Sequence, residues 1–435
     1  MSPDWSERRL HFVGIGGAGM SGLALIARSL GAQVTGSDRA ESGYTTRLRE
    51  HGIEPRIGHA AENVPTGAEV VYSTAVPADN PERATAGRQL HRADLLAELA
   101  SLKRCLAITG THGKTTTAAM TAHALRGAGL DPAFVIGAEL PGSGLGAGWG
   151  SGEWIVIEAD ESDRSLLKLS PEIAVLTNAE LDHHATYSSR LELEATFATF
   201  MARAGDHAVV WDRSALRALC PSSAVPYDAH ELVLTPQGAR FRWRELEVSL
   251  AVPGAHNAVN AAGALTAATL AGADPARAAA ALADFRGARR RMEAAGHTPS
   301  GAAVYDDYAH HPTEVAAAIA AARTLAPQRL VVIFQPHLFS RTRALAGAFG
   351  RALAGADEIV VVPIYPARER GEDYPGVDGH LVAAAGADAA CGRPVAWMPD
   401  FASAEAYLRG TLRDGDLALM MGAGNIDALA RSLVA

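Results

Sequence analysis

A lysine set between a glycine and two hydroxyl side chains, in "ITGTHGKTTT", is an arrangement that can hold phosphate. Backbone N–H groups of Gly110, Thr111, His112, Gly113, Lys114, Thr115 and Thr116 can wrap the β- and γ-phosphates of a nucleoside triphosphate such as ATP. Lys114 adds a point charge, and the Thr115 hydroxyl can reach a Mg²⁺ ion. The full pattern would place a glycine where Ile108 stands; here that glycine is Gly110, so the loop is short but its mechanics survive.

Carboxylates follow. "EWIVIEADESDRS" places Glu158, Asp160, Glu161 and Asp163 just beyond an apolar run. Glu158, the last position with apolar flanks, is the candidate Mg²⁺ ligand. Glu161 and Asp163 read as a solvated acidic loop. "IAVLTNAELDHHATY" ends a second apolar run with Asn178, Asp182, His183 and His184. An imidazole there could join a carboxylate around a second cation, Mg²⁺ or Mn²⁺, or be a loop histidine with no ligand; spacing leaves both open. In "VPGAHNAVNAAGALTAA", His256, Asn257 and Asn260 open a helix, either as ordinary caps or as amides reading an adenine edge.

A second glycine cluster lies near the start. "VGIGGAGMSGLALIARSLGAQVTGSD" contains Gly14-x-Gly16-x-x-Gly19 after an apolar run, with Asp38 19 residues beyond Gly19. Such glycines let backbone approach a diphosphate at a helix N-terminus. The diphosphate could belong to a dinucleotide or to a nucleotide sugar. Two loops imply two phosphate-bearing ligands, one activating the other. Toward the end, "VYDDYAHHPTEV" and "VIFQPHLFSRTR" supply His310, His311, His337, Arg341 and Arg343. An amino acid's carboxylate would call for such an arginine, while helix caps and surface arginines are the plain alternative.

These residues need a scaffold, and the chain alternates short β-branched runs with Ala/Leu-rich segments of helical length. "LHFVGI", "RCLAITG", "WIVIEAD", "IAVLTN", "RLVVIFQP" and "DLALMMGAG" are continuous apolar runs, as strands buried on both faces must be. The class is α/β with parallel sheets. Units open near Leu10, Arg104 and Ala303. The first boundary falls near residue 100, and residues 294–301 read as a linker. "PQGARFRWRELEVSLAVPG" reads as a small antiparallel insertion.

At 435 residues, two or three domains are expected. Lys and Arg number 39 against 48 Asp and Glu, so the net charge of −9 gives no general reason to bind nucleic acid or anionic lipid. Three dispersed cysteines build no disulfide framework or zinc knuckle. With no apolar h-region at the start and no run of membrane-spanning length, a cytoplasmic location without membrane insertion is expected.

Taken together and in order, "GIGGAGMSGLA", "GTHGKTTT", "EADESDRSLL", "TNAELDHHATY", "PGAHNAVNAAGA", "RRRME", "DDYAHHPTEV", "FQPHLFSRT" and "MGAGNI" resemble the Mur ligase family from Leu10 to about Ile426. The first glycine cluster and "DDYAHHP" point within it to the branch that adds alanine to UDP-N-acetylmuramate. The resemblance implies three domains: a Rossmann-like N-terminal domain holding the UDP substrate (1–100), a central P-loop ATPase-type domain (101–295) and a Rossmann-like C-terminal domain (296–435). It implies ATP-dependent amide formation through an acyl phosphate, with Mg²⁺ (Mn²⁺ as alternative), UDP-N-acetylmuramate and L-alanine as small-molecule partners, in a monomer or weak homodimer.

Carried over by residue, Lys114 is the phosphate lysine, Thr115 with Glu158 one metal site, and His183 the ligand of a second metal. Asn260, with His256 near it, contacts adenine; Gly16, Gly17, Gly19 and Asp38 hold the UDP end. Arg290 lies near the substrate, and His310 and Arg341 receive the amino acid. Two positions depart from the family pattern: Ala185 stands where an acid is common two residues after the metal histidine, and Leu338 where many relatives have arginine. A nicotinamide-dependent oxidoreductase would explain the first loop and leave the second without a use. A non-catalytic nucleotide-binding regulator would leave Lys114, Thr115, Glu158 and His183 without one. A ligase attaching another amino acid or a preformed peptide stays open.

Overall fold

The computed structural model describes residues 4–85, 87–140, 145–183 and 186–435; His184 and Ala185 lie outside them. The chain forms two compact units, Met1–Asp228 with Asn260–Leu282, and Ala229–Val259 with Ala283–Ala435.

The first unit holds two sheets. One comprises β1 (Arg9–Val13), β2 (Gln33–Asp38), β3 (Arg56–Ile57), β4 (Glu69–Tyr72) and β5 (Arg88–His91) in the order β3-β2-β1-β4-β5. All its pairings are parallel. The central strand β1 is buried over Leu10–Val13, as its apolar run demands. The helix Ala18–Ser29 packs Met20, Leu23, Ile26 and Ala27 onto that core.

The other sheet comprises β6 (Arg104–Thr109), β7 (Ala133–Val135), β8 (Ala147–Gly148), β9 (Trp154–Glu158), β10 (Ile173–Leu176), β11 (His207–Trp211) and β12 (Val225–Tyr227). Its order is β12-β11-β10-β6-β9-β7-β8, parallel except at β7–β8. β6 lies between β9 and β10, so the loops after these three strands emerge at one edge of the sheet. That edge, the carboxyl ends of parallel strands, is where open α/β sheets bind ligands.

The second unit carries the expected antiparallel insertion as β13 (His230–Thr235), β14 (Gly238–Trp243) and β15 (Leu246–Leu250). It also carries a six-stranded sheet of β16 (Glu293–His297), β17 (Ala303–Asp307), β18 (Arg329–Phe334), β19 (Glu358–Val361), β20 (Val395–Trp397) and β21 (Asp416–Met421), ordered β16-β17-β21-β18-β19-β20. β17 to β21 run parallel, and β16 is antiparallel to β17.

The linker expected over residues 294–301 is therefore corrected: the chain has already joined this sheet at Glu293. Its composition concealed the strand. The ladder shifts register between Ala294 and Gly296, and Gly296 has φ 138°, so a bulge takes the residues that read as loop. Among the described residues, no helix is long and apolar enough to cross a membrane.

Candidate nucleotide and substrate sites

The short phosphate loop leaves the end of β6 and opens the helix Lys114–Gly127. Its shape is fixed from below. His112 N donates to Asn178 Oδ1 at 2.9 Å, Asn178 Nδ2 returns a bond to the His112 carbonyl at 2.8 Å, and Thr177 Oγ1 reaches that carbonyl at 2.6 Å. Thr111 Oγ1 donates to the Glu180 carbonyl at 2.8 Å. The segment after β10 thus clamps Gly110–Gly113, while Thr115 and Thr116 are buried in the first helical turn.

Thr115 and Glu158, expected to share a metal, are brought together: Thr115 Oγ1 donates to Glu158 Oε1 at 2.7 Å, and Gly137 N donates to Glu158 Oε2 at 2.6 Å. These hard oxygen donors at the start of the helix fit a Mg²⁺-sized ion.

Lys114 Nζ donates to the Gly110 carbonyl at 2.6 Å and the Thr111 carbonyl at 3.1 Å, and pairs with Glu161 at 2.9 Å. Burial works against its ammonium, but the carboxylates of Glu161, Asp160 and Glu158 outweigh that and raise its pKa. Glu161 is fully buried, which overturns the solvated-loop expectation. A second side chain reaches it as well, for His183 Nε2 lies 3.3 Å from Glu161 Oε1. Asp163, expected in the same solvated loop, pairs with Arg92 at 3.1 Å and is 16% exposed.

Asn260 stands on the helix Ala255–Leu270, with its amide against Gly113. Gly113 has φ 79°, and a Cβ there would lie 2.6 Å from Asn260 Oδ1. Gly113→Ala should therefore weaken nucleotide binding tenfold or more, about 1.4 kcal/mol, from backbone strain and the shifted amide. Titration of a fluorescent ATP analogue checks this, and unchanged affinity would separate Asn260 from the nucleotide. His256 lies one turn earlier on the same helix; burial, and next the charge of Arg291, push its pKa down to about 4 against the pull of Glu314. Asn257 makes an ordinary turn, donating to the Pro253 carbonyl at 2.7 Å.

At the first glycine loop, Gly14 N and Ile15 N donate to the Ser37 carbonyl at 2.8 and 2.9 Å. Gly17 caps the helix Ala18–Ser29. Gly16 N donates to Asp38 Oδ2 at 2.8 Å, so Asp38 and the loop are in direct contact. Arg92, which no spacing singled out, lies with NH1 3.6 Å from where a Cβ on Gly19 would stand. Its NH2 donates to Asp160 Oδ2 at 3.2 Å and Asp163 Oδ2 at 3.1 Å. One guanidinium thus lies beside Gly19 while it pairs with the acidic segment after β9.

In the second unit, loops at the carboxyl ends of the parallel strands bring further residues together. Arg341 NH1 lies 3.1 Å from His337 Nδ1, the His337 ring meets His310 edge-on at 5.8 Å, and Tyr365 stacks on His337 at 5.8 Å. Arg341 is 4% exposed, which excludes the surface-arginine alternative. Leu338 is buried with φ 70° and precedes the helix Phe339–Leu353.

Arg290 is committed within its own unit: Nε donates to Asp306 Oδ2 at 2.9 Å, NH1 to the Gly424 carbonyl at 2.9 Å and NH2 to the Gly422 carbonyl at 2.7 Å. Burial pushes Asp306 and Asp307 up to about 6, against the charges of Arg290 and Arg291 respectively.

Three family models cover most of the chain: "Mur ligase family, catalytic domain" over residues 9–104, "Mur ligase middle domain" over 108–268, and "Mur ligase, glutamate ligase domain" over 290–424. A UDP-N-acetylmuramate–L-alanine ligase of Acidithiobacillus ferrooxidans is 43% identical, covering 97% of this chain and 96% of that protein. The ligase of the same name from Streptomyces griseus is 42% identical over 97% and 95%. Among solved structures, UDP-N-acetylmuramate–alanine ligase from Thermotoga maritima matches with TM-score 0.84 and 30% identity, covering 98% of both chains.

Proposed function

The chain belongs to the Mur ligase family, and on that basis we propose that it joins L-alanine to the lactyl carboxylate of UDP-N-acetylmuramate at the cost of ATP, in peptidoglycan precursor synthesis. The observation that carries this reading is the relationship to ligases of that name over 97% of the chain, in which Thr115, next to Lys114, is hydrogen-bonded to Glu158.

A carboxylate is a poor electrophile, so making an amide in water requires activation. A lactyl carboxylate oxygen attacks the γ-phosphorus, the bond to the β,γ-bridging oxygen breaks, and ADP leaves. The alanine nitrogen then attacks the acyl-phosphate carbonyl and gives up a proton, and the C–O bond breaks to release phosphate. Lys114 and the backbone of Gly110–Thr116 hold the triphosphate and stabilise charge on the transferring phosphoryl group. Thr115 and Glu158 would hold Mg²⁺, or Mn²⁺, which when bound neutralises charge between two approaching anions. Asn260, with His256 behind it, positions the adenine. Gly16, Gly17, Gly19 and Asp38 hold the UDP end. His310 and Arg341 receive the amino acid, Arg341 as the carboxylate's partner in place of Leu338, while Arg290 braces the loop beside them.

On this reading residues 1–100 serve the UDP substrate, 101–295 ATP and 296–435 the amino acid. The enzyme works in the cytoplasm as a monomer or weak dimer. Phosphate release with ATP, Mg²⁺ and UDP-N-acetylmuramate, scanned over amino acids, tests it. L-alanine should give the highest kcat/KM, and release that needs a different amino acid or a peptide would overturn the alanine assignment.

A further inference from the structure

The helix Phe339–Leu353 carries Arg341 in its first turn, and the residue before it cannot complete that turn. A helix opens with N–H groups that have no partner inside it, and a side chain just before it ordinarily accepts from one of them. Here that residue is Leu338, which has no acceptor, is buried and stands at φ 70°. The acceptor comes instead from Glu369, 29 residues beyond Ser340. Glu369 Oε2 accepts from Ser340 N at 3.0 Å, and its other oxygen accepts from Ser340 Oγ. A carboxylate there also meets the positive end of the helix dipole.

The loop that brings Glu369 follows β19 and is joined to the residues around Arg341. Tyr365 N donates to the Pro336 carbonyl at 2.8 Å, Leu338 N donates to the Tyr365 carbonyl at 3.0 Å, and Glu369 N closes a turn onto the Pro366 carbonyl at 2.9 Å. The Tyr365 ring, just ahead of this turn, is the one stacked on His337. Beyond Glu369, the Tyr374 ring stacks on Phe339 at 5.8 Å, and the Arg343 guanidinium lies 5.2 Å from the centre of that tyrosine ring. Residues 365–374 thus grip the start of the helix through Tyr365, Glu369 and Tyr374, and the carboxylate bonds directly to the residue next to Arg341.

We propose that Glu369 is a positioning residue for the amino-acid end of the site: by capping this helix from outside, it sets the first turn so that Arg341 and His337 meet the alanine carboxylate together. The proposal rests on the reading of Arg341 as that carboxylate's partner. Coulomb's law alone gives the opposite sign, because a carboxylate beside this turn repels an incoming carboxylate and its removal would tighten binding. The direction in which the KM for alanine moves therefore separates a positioning role from a bystander charge.

The test is steady-state phosphate release by the full chain, with KM measured separately for alanine, ATP and UDP-N-acetylmuramate. Glu369→Ala should raise the KM for alanine roughly tenfold, the order expected for a lost charged cap. It should hold kcat at saturating alanine within about threefold of the parent, and leave the KM for ATP and for UDP-N-acetylmuramate unchanged. Glu369→Gln, which still offers Ser340 N an acceptor but no charge, should fall between, and it carries the test if the alanine variant does not fold. Arg341→Ala should raise the alanine KM as well, and adding Glu369→Ala to it should change nothing further, because one residue acts through the other. An alanine KM unchanged or lowered in the Glu369 variants would overturn the proposal. So would a rise shared by all three substrates, or a full second rise on top of Arg341→Ala. An Arg341→Ala variant with the parent's alanine KM would instead sink the amino-acid reading of Arg341, and the proposal with it.

Discussion

Lys114→Ala should bind UDP-N-acetylmuramate as the parent does and form the amide about a thousandfold more slowly. The two ligands are assigned to separate loops, Gly14–Gly19 after β1 and Gly110–Thr116 after β6, on separate sheets of the first unit. Removing a charge aimed at a transferring phosphoryl group costs on the order of 4 kcal/mol, about a thousandfold in kcat. Calorimetry with the UDP substrate and phosphate release with saturating ATP read the two effects apart, and equal loss of both would refute separate loops. The truncation also strips Glu161 of its ammonium partner, so some loss of stability is expected. The double variant Lys114→Ala with Glu161→Gln should recover the melting temperature while remaining as slow, which separates chemistry from folding.

Glu82→Gln should destabilise the first unit by roughly 3 kcal/mol and remove much of its acid sensitivity. Glu82 is fully buried beside β1 and β2. It accepts from Ser37 Oγ at 2.5 Å, Asn63 Nδ2 at 2.7 Å and Ala60 N at 3.2 Å, with His11 Nε2 at 3.5 Å and His59 Nδ1 at 3.4 Å. Burial alone would raise its pKa, yet the bonds from His11, Ser37, Asn63 and Ala60 prevail and hold it at about 2, against an ordinary 4.5.

The sign follows: the folded chain holds this proton less tightly than the unfolded chain. The stability Glu82 contributes is full above about 4.5 and drains away as pH falls toward 2. In the glutamine variant that part of the slope should vanish, and the first thermal transition should drop by roughly 6 °C or more at neutral pH. Hydrogen exchange at the β1 amides locates the effect; an unchanged acid limb would refute the assignment. Ser37 also supplies the carbonyl that holds Gly14 and Ile15, so the variant should loosen the first glycine loop as well.

The sheets were legible because strands buried on both faces spell continuous apolar runs, as β6, β9, β10, β18 and β21 do. The phosphate loop was legible because glycine, lysine and threonine at that spacing have few other uses, and the Thr115–Glu158 contact follows from strand ends that share an edge. Glu161 was not legible. Its neighbours Asp160, Ser162 and Asp163 give the composition of a wet loop, and only the fold brings Lys114 and His183 to one side of it. Arg92 escaped for a related reason: its partners Asp160 and Asp163 lie far along the chain, and no local period marks it. β16 was hidden by the bulge at Gly296, which breaks the alternation that reveals a half-buried strand.

The bond from Gly16 N–H to Asp38 gives the first loop an internal rival for any incoming ligand. A guest with a single weak negative charge gains little by displacing a tethered carboxylate whose local concentration never falls. A doubly charged diphosphate, carrying a nucleoside whose ribose hydroxyls can take up the released carboxylate, recovers what the exchange gives up. Such a threshold admits a guest only when it gives the released carboxylate a new partner, so inorganic phosphate, comparable in charge but without ribose hydroxyls, should bind this loop poorly.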